Sequence, residues 1–132
     1  MLTKRQMTEY FILATLMSTD SHTSDKAYDT CTNFLLPDMF KDDKVRWAYK
    51  LVLEMRKKGC TATSECDIFE YLCAENKVPS GKVGVICCWL IEVYIQFCAM
   101  NNPVTGVAWT IGDAVDELIR MSDADSWEII AR

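Results

Sequence analysis

The chain has 132 residues, half of them apolar, so it is long enough for one domain with a packed core and too apolar to be disordered. Its formal net charge of −5 argues against a dedicated nucleic-acid binder, which is usually basic. Seven cysteines, an odd number, with no apolar secretory signal near the start, argue against a disulfide framework. We therefore expect reduced thiols and a cytoplasmic location.

Helices joined by short loops are the predicted architecture. The three prolines and five glycines fall between segments of helical periodicity, and strand signals are poor. The sequence predicts an all-α fold of about six helices, a globular helical bundle followed by a C-terminal antiparallel helical hairpin. The first helix is expected from about Thr3 to Met17. After a polar break, a second helix is expected from about Asp25 to Phe34, with Ser24 as its N-cap.

The third predicted helix follows a proline turn and spans about 43–58. Acidic residues at its start and basic residues at its end complement the helix dipole, and Gly59 ends it. We interpret six basic residues of this helix as a possible basic patch: Lys44, Arg46, Lys50, Arg56, Lys57 and Lys58. The patch could contact DNA phosphates weakly or bind an acidic partner segment, although a solvated helix face is the simpler interpretation.

Three more helices are predicted in the second half. Ser64 with Asp67 resembles a capping box and predicts a fourth helix to about residue 76. Helices at about 81–101 and 105–121 are separated only by Asn101-Asn102-Pro103, so they should form the antiparallel hairpin. The first of these two is apolar around most of its circumference, which makes it either central in the fold or part of a contact with another subunit. Since Glu92 and Gln96 interrupt its apolar run, we do not expect a membrane span.

These elements divide the chain into one domain and a tail. The domain covers residues 1–121, with a globule at 1–80 and the hairpin at 81–121. An acidic tail at 122–132 carries Trp127, Ile129 and Ile130 near its end. The tail is expected either to pack back as one short turn or to remain loose.

No residue cluster predicts catalysis, a cofactor or a bound metal. The stretch Ser80-Gly81-Lys82-Val83-Gly84 lacks the upstream glycine and the following Ser/Thr of a phosphate-binding loop. The cysteines do not form the CxxC pairs of a structural zinc site, and His22 is the chain's single histidine. His22 lies among Ser and Asp residues in a polar stretch, where neighbouring side chains rarely adopt triad geometry. We therefore expect no enzyme activity from this chain.

The order of the predicted elements resembles the N-terminal domain of DnaB-type replicative DNA helicases. Residues 9–17, Glu-Tyr-Phe-Ile-Leu-Ala-Thr-Leu-Met, are similar to the family's first-helix pattern, Glu-x-x-x-Leu-x-x-Leu-Met. Residues 35–40, Leu-Leu-Pro-Asp-Met-Phe, are similar to its Leu-x-Pro-x-x-Phe turn. Lys41 and Val45 stand where the family often has Tyr and His, so the chain resembles a remote relative.

The resemblance implies an architectural function. In the family, this domain forms dimers through its hairpin and a ring-like collar above the motor domains, and it affects the docking of primase and loader proteins. It implies here a non-catalytic oligomerisation and partner-docking domain in DNA replication, which self-associates as a dimer or higher oligomer. Trp89, Val93 and Tyr94 would form the self-association surface, unless they are core residues. A primase-type helicase-binding domain, a small helical adaptor or regulator unrelated to replication, and an enzyme with an unrecognised site remain alternatives.

Overall fold

The computed structural model describes residues 2–103 and 105–131, with side chains as far as Asp125. Over these residues it is all-helical and has no β-sheet, which confirms the predicted all-α class. A 3-10 turn at Pro37–Met39 lies between the second and third helices. The helices are α1 (Lys4–Leu16), α2 (Ser21–Phe34), α3 (Asp43–Lys57), α4 (Glu65–Glu75), α5 (Ser80–Phe97) and α6 (Ile111–Ala131).

Helix α1 is the centre of the fold. Residues 11–17, which form its last turns and its C-cap, are all buried. Every face of this part of the helix is therefore covered. Helices α2, α3, α5 and α6 pack against it. At its C-terminal end, the carbonyl of Leu16 accepts hydrogen bonds from the hydroxyls of Ser24 (2.7 Å) and Thr63 (2.9 Å). These bonds fasten α2 and the segment before α4 to the central helix.

Local capping signals place most helix ends close to the predicted positions. The capping box of Ser64 and Asp67 is confirmed at the start of α4. Gly59 follows α3 with a φ of +98°, a conformation that glycine adopts without strain. Helix α2 begins at Ser21, four residues before the predicted start, because Asp20 caps it and accepts a hydrogen bond from the Thr23 N–H.

The predicted antiparallel hairpin of the last two helices is wrong. Among the described residues, α5 packs mainly against α1 and α4, whereas α6 packs mainly against α1 and α2, so the two do not pack along each other. The physical reason is that the second half of α1 is buried on all sides, so that separated helices must cover its different faces. The expected tight connection is also wrong, since residues 98–110 link α5 to α6 through an isolated antiparallel bridge between Asn101 and Ala108.

The predicted acidic tail is part of helix α6. This helix begins at Ile111, not near residue 105, and runs through the expected end at residue 121 to Ala131. The carboxylate of Asp125 forms ion pairs with the guanidinium of Arg5 and, at 3.0 Å, with the Lys41 ammonium. Helix α6 is therefore tied to the start of α1. The side chains of the predicted apolar tail residues Trp127, Ile129 and Ile130 lie outside the described ones.

Candidate interaction surfaces

Helix α5 has two apolar faces, and its own chain covers one of them. The inner face is buried and consists of Val83, Cys87, Leu90, Val93 and Phe97. On the opposite side, exposed residues recur at intervals of three and four, the period of a helix–helix seam. We call this set the outer seam: Gly81, Gly84, Cys88, Ile91 and Ile95. Ile95 is 70% exposed and Ile91 38%.

The glycines of the outer seam are not required by the fold. A Cβ atom added at Gly81 or Gly84 would meet no atom within 4 Å. Glycine inside a helix is less favourable than alanine by about 1 kcal/mol. Nothing in the described part of the chain approaches these positions, so a second molecule has room to come close to the helix backbone there.

The predicted self-association residues lie elsewhere on α5. The assignment of Val93 is wrong, since it is 4% exposed and packs in the core. Trp89 is half-buried, edge-on to the Tyr10 ring at 6.4 Å, with the Lys44 ammonium 5.9 Å from its own ring. Tyr94 is also half-buried against the core. The three- and four-residue spacing of the outer seam is visible in the sequence. Because three of its five residues are small, it is a weaker signal for an interface than the nearby aromatic side chains.

A groove of about 360 Å³ lies between the start of α3 and the first half of α5. Its lining is mostly apolar and includes one tryptophan from each helix, Trp47 and Trp89. Trp47 is 38% exposed. We call this feature the tryptophan groove; it is lined by Asp43, Lys44, Trp47, Val78, Val85, Ile86 and Trp89.

The six residues of the predicted basic patch do not act as one surface. Arg56 turns toward α2, where it pairs with Asp25 at 2.6 Å and donates to the Ser24 hydroxyl. Arg46 pairs with Asp43 at 2.9 Å, and Lys58 pairs with Glu75 at 3.6 Å.

The other three residues of the predicted basic patch are not neutralised by an acidic side chain. Lys44, Lys50 and Lys57 are exposed and have no ion-pair partner among the described residues. Half of the predicted basic patch is thus ion-paired within the chain, and the other half consists of separate exposed lysines. This arrangement disfavours a continuous basic surface that could bind a nucleic-acid backbone.

A buried carboxylate, which the sequence did not reveal, holds the segment before α3. Glu9 is 1% exposed, and its two oxygens accept the N–H groups of Lys41 and Asp42, each at 3.1 Å. The guanidinium of Arg5 donates to the same carboxylate at 3.3 Å. Burial raises the pKa of Glu9, and these hydrogen bonds and the positive charge of Arg5 oppose that rise. Both oxygens are thus occupied in fastening one segment to α1.

No group of three or more His, Cys, Asp or Glu side chains that could hold a metal ion occurs among the residues that the structure describes. By length and composition alone, α5 is the one helix of those residues that could cross a membrane. Its inner face packs against α1 and α4.

Comparison with known proteins gives no family assignment. No family model matches the chain, and neither curated proteins nor solved structures provide a match.

Proposed function

We propose that this chain is a non-catalytic oligomerisation and partner-docking domain of the DnaB-type replicative-helicase kind, acting in DNA replication in the cytoplasm. Two features of the sequence support the family: the first-helix pattern at residues 9–17 and the proline turn at 35–40. The observation that carries the proposal is the outer seam of α5. An apolar stripe in solvent, on a helix whose other face is already packed, is typical of an interaction site.

A second copy of the chain is the partner that fits the outer seam. Glycines occupy its N-terminal end, isoleucines its C-terminal end, and Cys88 its midpoint. When two copies pair antiparallel around a twofold axis at Cys88, Gly81 and Gly84 of one copy face Ile95 and Ile91 of the other. Each large side chain then meets a position without a Cβ, and the same patch serves both copies, as a twofold interface requires.

The size of the seam sets the expected strength of the dimer. From Gly81 to Ile95 the helix extends about 21 Å at 1.5 Å per residue. A single helix face of this length buries less than the roughly 1,600 Å² of a standard interface. We therefore expect a reversible dimer whose population depends on protein concentration.

Sedimentation or light scattering over a range of concentrations tests the proposal. The unmodified chain should form dimers, and the double variant Ile91→Lys, Ile95→Lys should be monomeric with an unchanged helical circular-dichroism spectrum. Val107→Lys is the matched control, because Val107 is 66% exposed in the α5–α6 connection, away from the seam. A chain that stays monomeric at millimolar concentration, or a double variant that still dimerises, would overturn the proposal.

Cross-linking through Cys88 tests the antiparallel register. Cys66, Cys73 and Cys98 are the other exposed cysteines, and replacing them by serine leaves Cys88 as the exposed thiol. Mild oxidation of that variant should produce a covalent dimer, and a further Cys88→Ser change should prevent it. A reversible dimer that cannot be cross-linked through Cys88 contradicts the register.

One observation favours a second candidate function. Besides α1, which both contact, α5 packs against α4 and α6 against α2, so the described residues do not form the projecting hairpin that the family uses for dimerisation. This arrangement suits a small helical adaptor or regulator. A strict monomer that captures neither primase nor helicase in a pull-down supports the adaptor, whereas a monomer that captures helicase alone supports a primase-type helicase-binding domain.

A further inference from the structure

We propose that the tryptophan groove binds an acidic amphipathic segment of a partner protein, a short helix with one aromatic or branched aliphatic anchor flanked by Asp and Glu. This inference rests on the proposed docking function and names the partner's chemistry. The groove lies on the side of α5 that faces α3, whereas the outer seam lies on a different side of the same helix.

The shape and lining of the groove suit an apolar anchor. Its volume of about 360 Å³ lies at the lower end of the range of ligand pockets, roughly 300–1,000 Å³, and can accept a large side chain. Trp47 stands partly exposed on one wall, and the other wall carries Trp89, held edge-on by Tyr10. Exposed tryptophans beside aliphatic side chains are the residues that most often dominate the binding energy of an interface.

The charge around the groove selects an acidic partner. Lys44 forms part of its wall, Lys50 lies beside Trp47, and Lys82 precedes Ile86 by one turn of α5. None of these three lysines has an ion-pair partner in the described part of the chain.

Two acidic residues near the groove are paired: Asp43 is bound by Arg46 at 2.9 Å, and Glu54 by Lys77 at 2.9 Å. Glu92, three residues after Trp89, is exposed and has no ion-pair partner among the described residues. The three unpaired lysines outnumber it, so the balance of unpaired charge around the groove is positive, although the chain as a whole has a net charge of −5. Such local complementarity favours an acidic segment over a basic one and speeds its association.

Single-stranded nucleic acid is the other class of ligand that aromatic and basic side chains recognise together. The groove suits it less well. The ring of Trp89 is taken up by Lys44 and Tyr10, so Trp47 is the one aromatic side chain of the lining left for a base to stack on. The rest of the apolar lining is aliphatic, whereas single-stranded binders stack successive bases on several aromatic side chains.

Fluorescence anisotropy with a set of labelled probes tests the inference on the full chain. The first probe is a designed 16-residue amphipathic peptide with a Trp-Leu apolar face and Glu on its flanks. The second replaces each Glu by Lys, the third replaces the apolar face by Ala, and the fourth is a single-stranded oligo-dT. The acidic apolar peptide should bind at least ten-fold more tightly than the other three, and its affinity should fall as salt is added. Equal binding of the basic peptide, or tighter binding of oligo-dT, overturns the inference.

Variants locate the binding on the protein. Trp47→Ala should weaken binding of the acidic peptide at least ten-fold, and Lys44→Gln with Lys82→Gln should weaken it several-fold and flatten its salt dependence. The double seam variant Ile91→Lys, Ile95→Lys should leave peptide binding unchanged, so the groove and the dimer are tested separately. Unchanged affinity of Trp47→Ala, with an unchanged helical spectrum, overturns the groove assignment even if dimerisation is confirmed.

Discussion

The second half of α1 and most of α5 carry apolar residues on more than one face, yet the two helices occupy different places in the molecule. Residues 11–17 of the α1 segment are all buried, because four helices surround it. Helix α5 is longer, but only α1 and α4 pack against it extensively, and its outer seam stays in solvent. The comparison shows that one chain can cover one such helix completely while leaving half of the other exposed. The exposed half of α5 is what makes it a candidate for contacts between molecules.

The largest expected effect is a difference in unfolding free energy between a variant of α1 and a variant of α5. Leu13→Ala in α1 should lower the free energy of unfolding by about 2–5 kcal/mol, because it leaves a cavity where the side chain is 1% exposed. Ile95→Ala on the outer seam should change it by less than about 0.5 kcal/mol in the monomer. Urea unfolding at low protein concentration measures both. Similar losses for the two variants would remove the distinction between the helices.

A smaller effect tests how α1 is fastened to its surroundings. Thr63→Val removes one of the two hydroxyls that donate to the Leu16 carbonyl, and should cost about 1 kcal/mol of unfolding free energy. Thr61→Val, at an exposed position two residues earlier, is the matched control and should be nearly neutral. If the two variants unfold alike in urea, the Leu16 carbonyl does not anchor this segment.

Glycine replacement on α5 should have effects of opposite sign on folding and on assembly. Gly84→Ala should stabilise the monomer by about 0.5–1 kcal/mol, because alanine favours helix and the added Cβ meets open space. The same methyl group should weaken the dimer, because it occupies the place expected for Ile91 of the second copy. Urea unfolding in the Ile91→Lys, Ile95→Lys background measures the first effect, and sedimentation of the single variant measures the second. A tighter dimer would contradict the close approach.

The smallest expected effect is a pH dependence that originates at Glu9 on the buried helix. Burial raises its folded pKa above the unfolded value, so the stability linked to its protonation is present at low pH and is lost as pH rises through the folded pKa. The unmodified chain should therefore lose stability relative to Glu9→Gln as pH rises from below 4.5. Asp125, whose pKa is lowered by its bonds to Lys41 and Arg5, acts in the opposite direction.

Urea unfolding of the two chains at several pH values measures the difference. Asp125 is present in both chains, so the difference reports mainly Glu9; Arg5 binds both carboxylates and couples them. A difference that stays constant with pH would show that the pKa of Glu9 is the same in the folded and unfolded chains.

Sequence reasoning succeeded where the signal is local and failed where it depends on distant contacts. The starts of α3 and α4 were predicted closely because Asp42 and Ser64 cap them through residues two or three positions away. The hairpin was wrong because the packing of α5 and α6 is decided by α1, which lies far away in the sequence.

For the interaction surface, the structure leaves a different face of α5 exposed from the one that the sequence suggested. The apolar surplus of α5 indicated either a central position or a contact with another subunit, and the second possibility stays a prediction. Trp89, Val93 and Tyr94 were chosen for that contact, but Val93 packs inward and the two aromatic side chains are half-buried. The small residues that remain outside, such as Gly84 and Cys88, are recognisable only once the packed face is known.

The ion pair between Arg5 and Asp125 joins residues 120 positions apart in the sequence. Helix α1 emerges during translation well before α6, which covers one of its sides. A nascent chain therefore exposes part of its most buried helix until α6 has been made, and a chain truncated after Phe97 should aggregate rather than fold. Complete burial of α1 is thus coupled to the synthesis of α6.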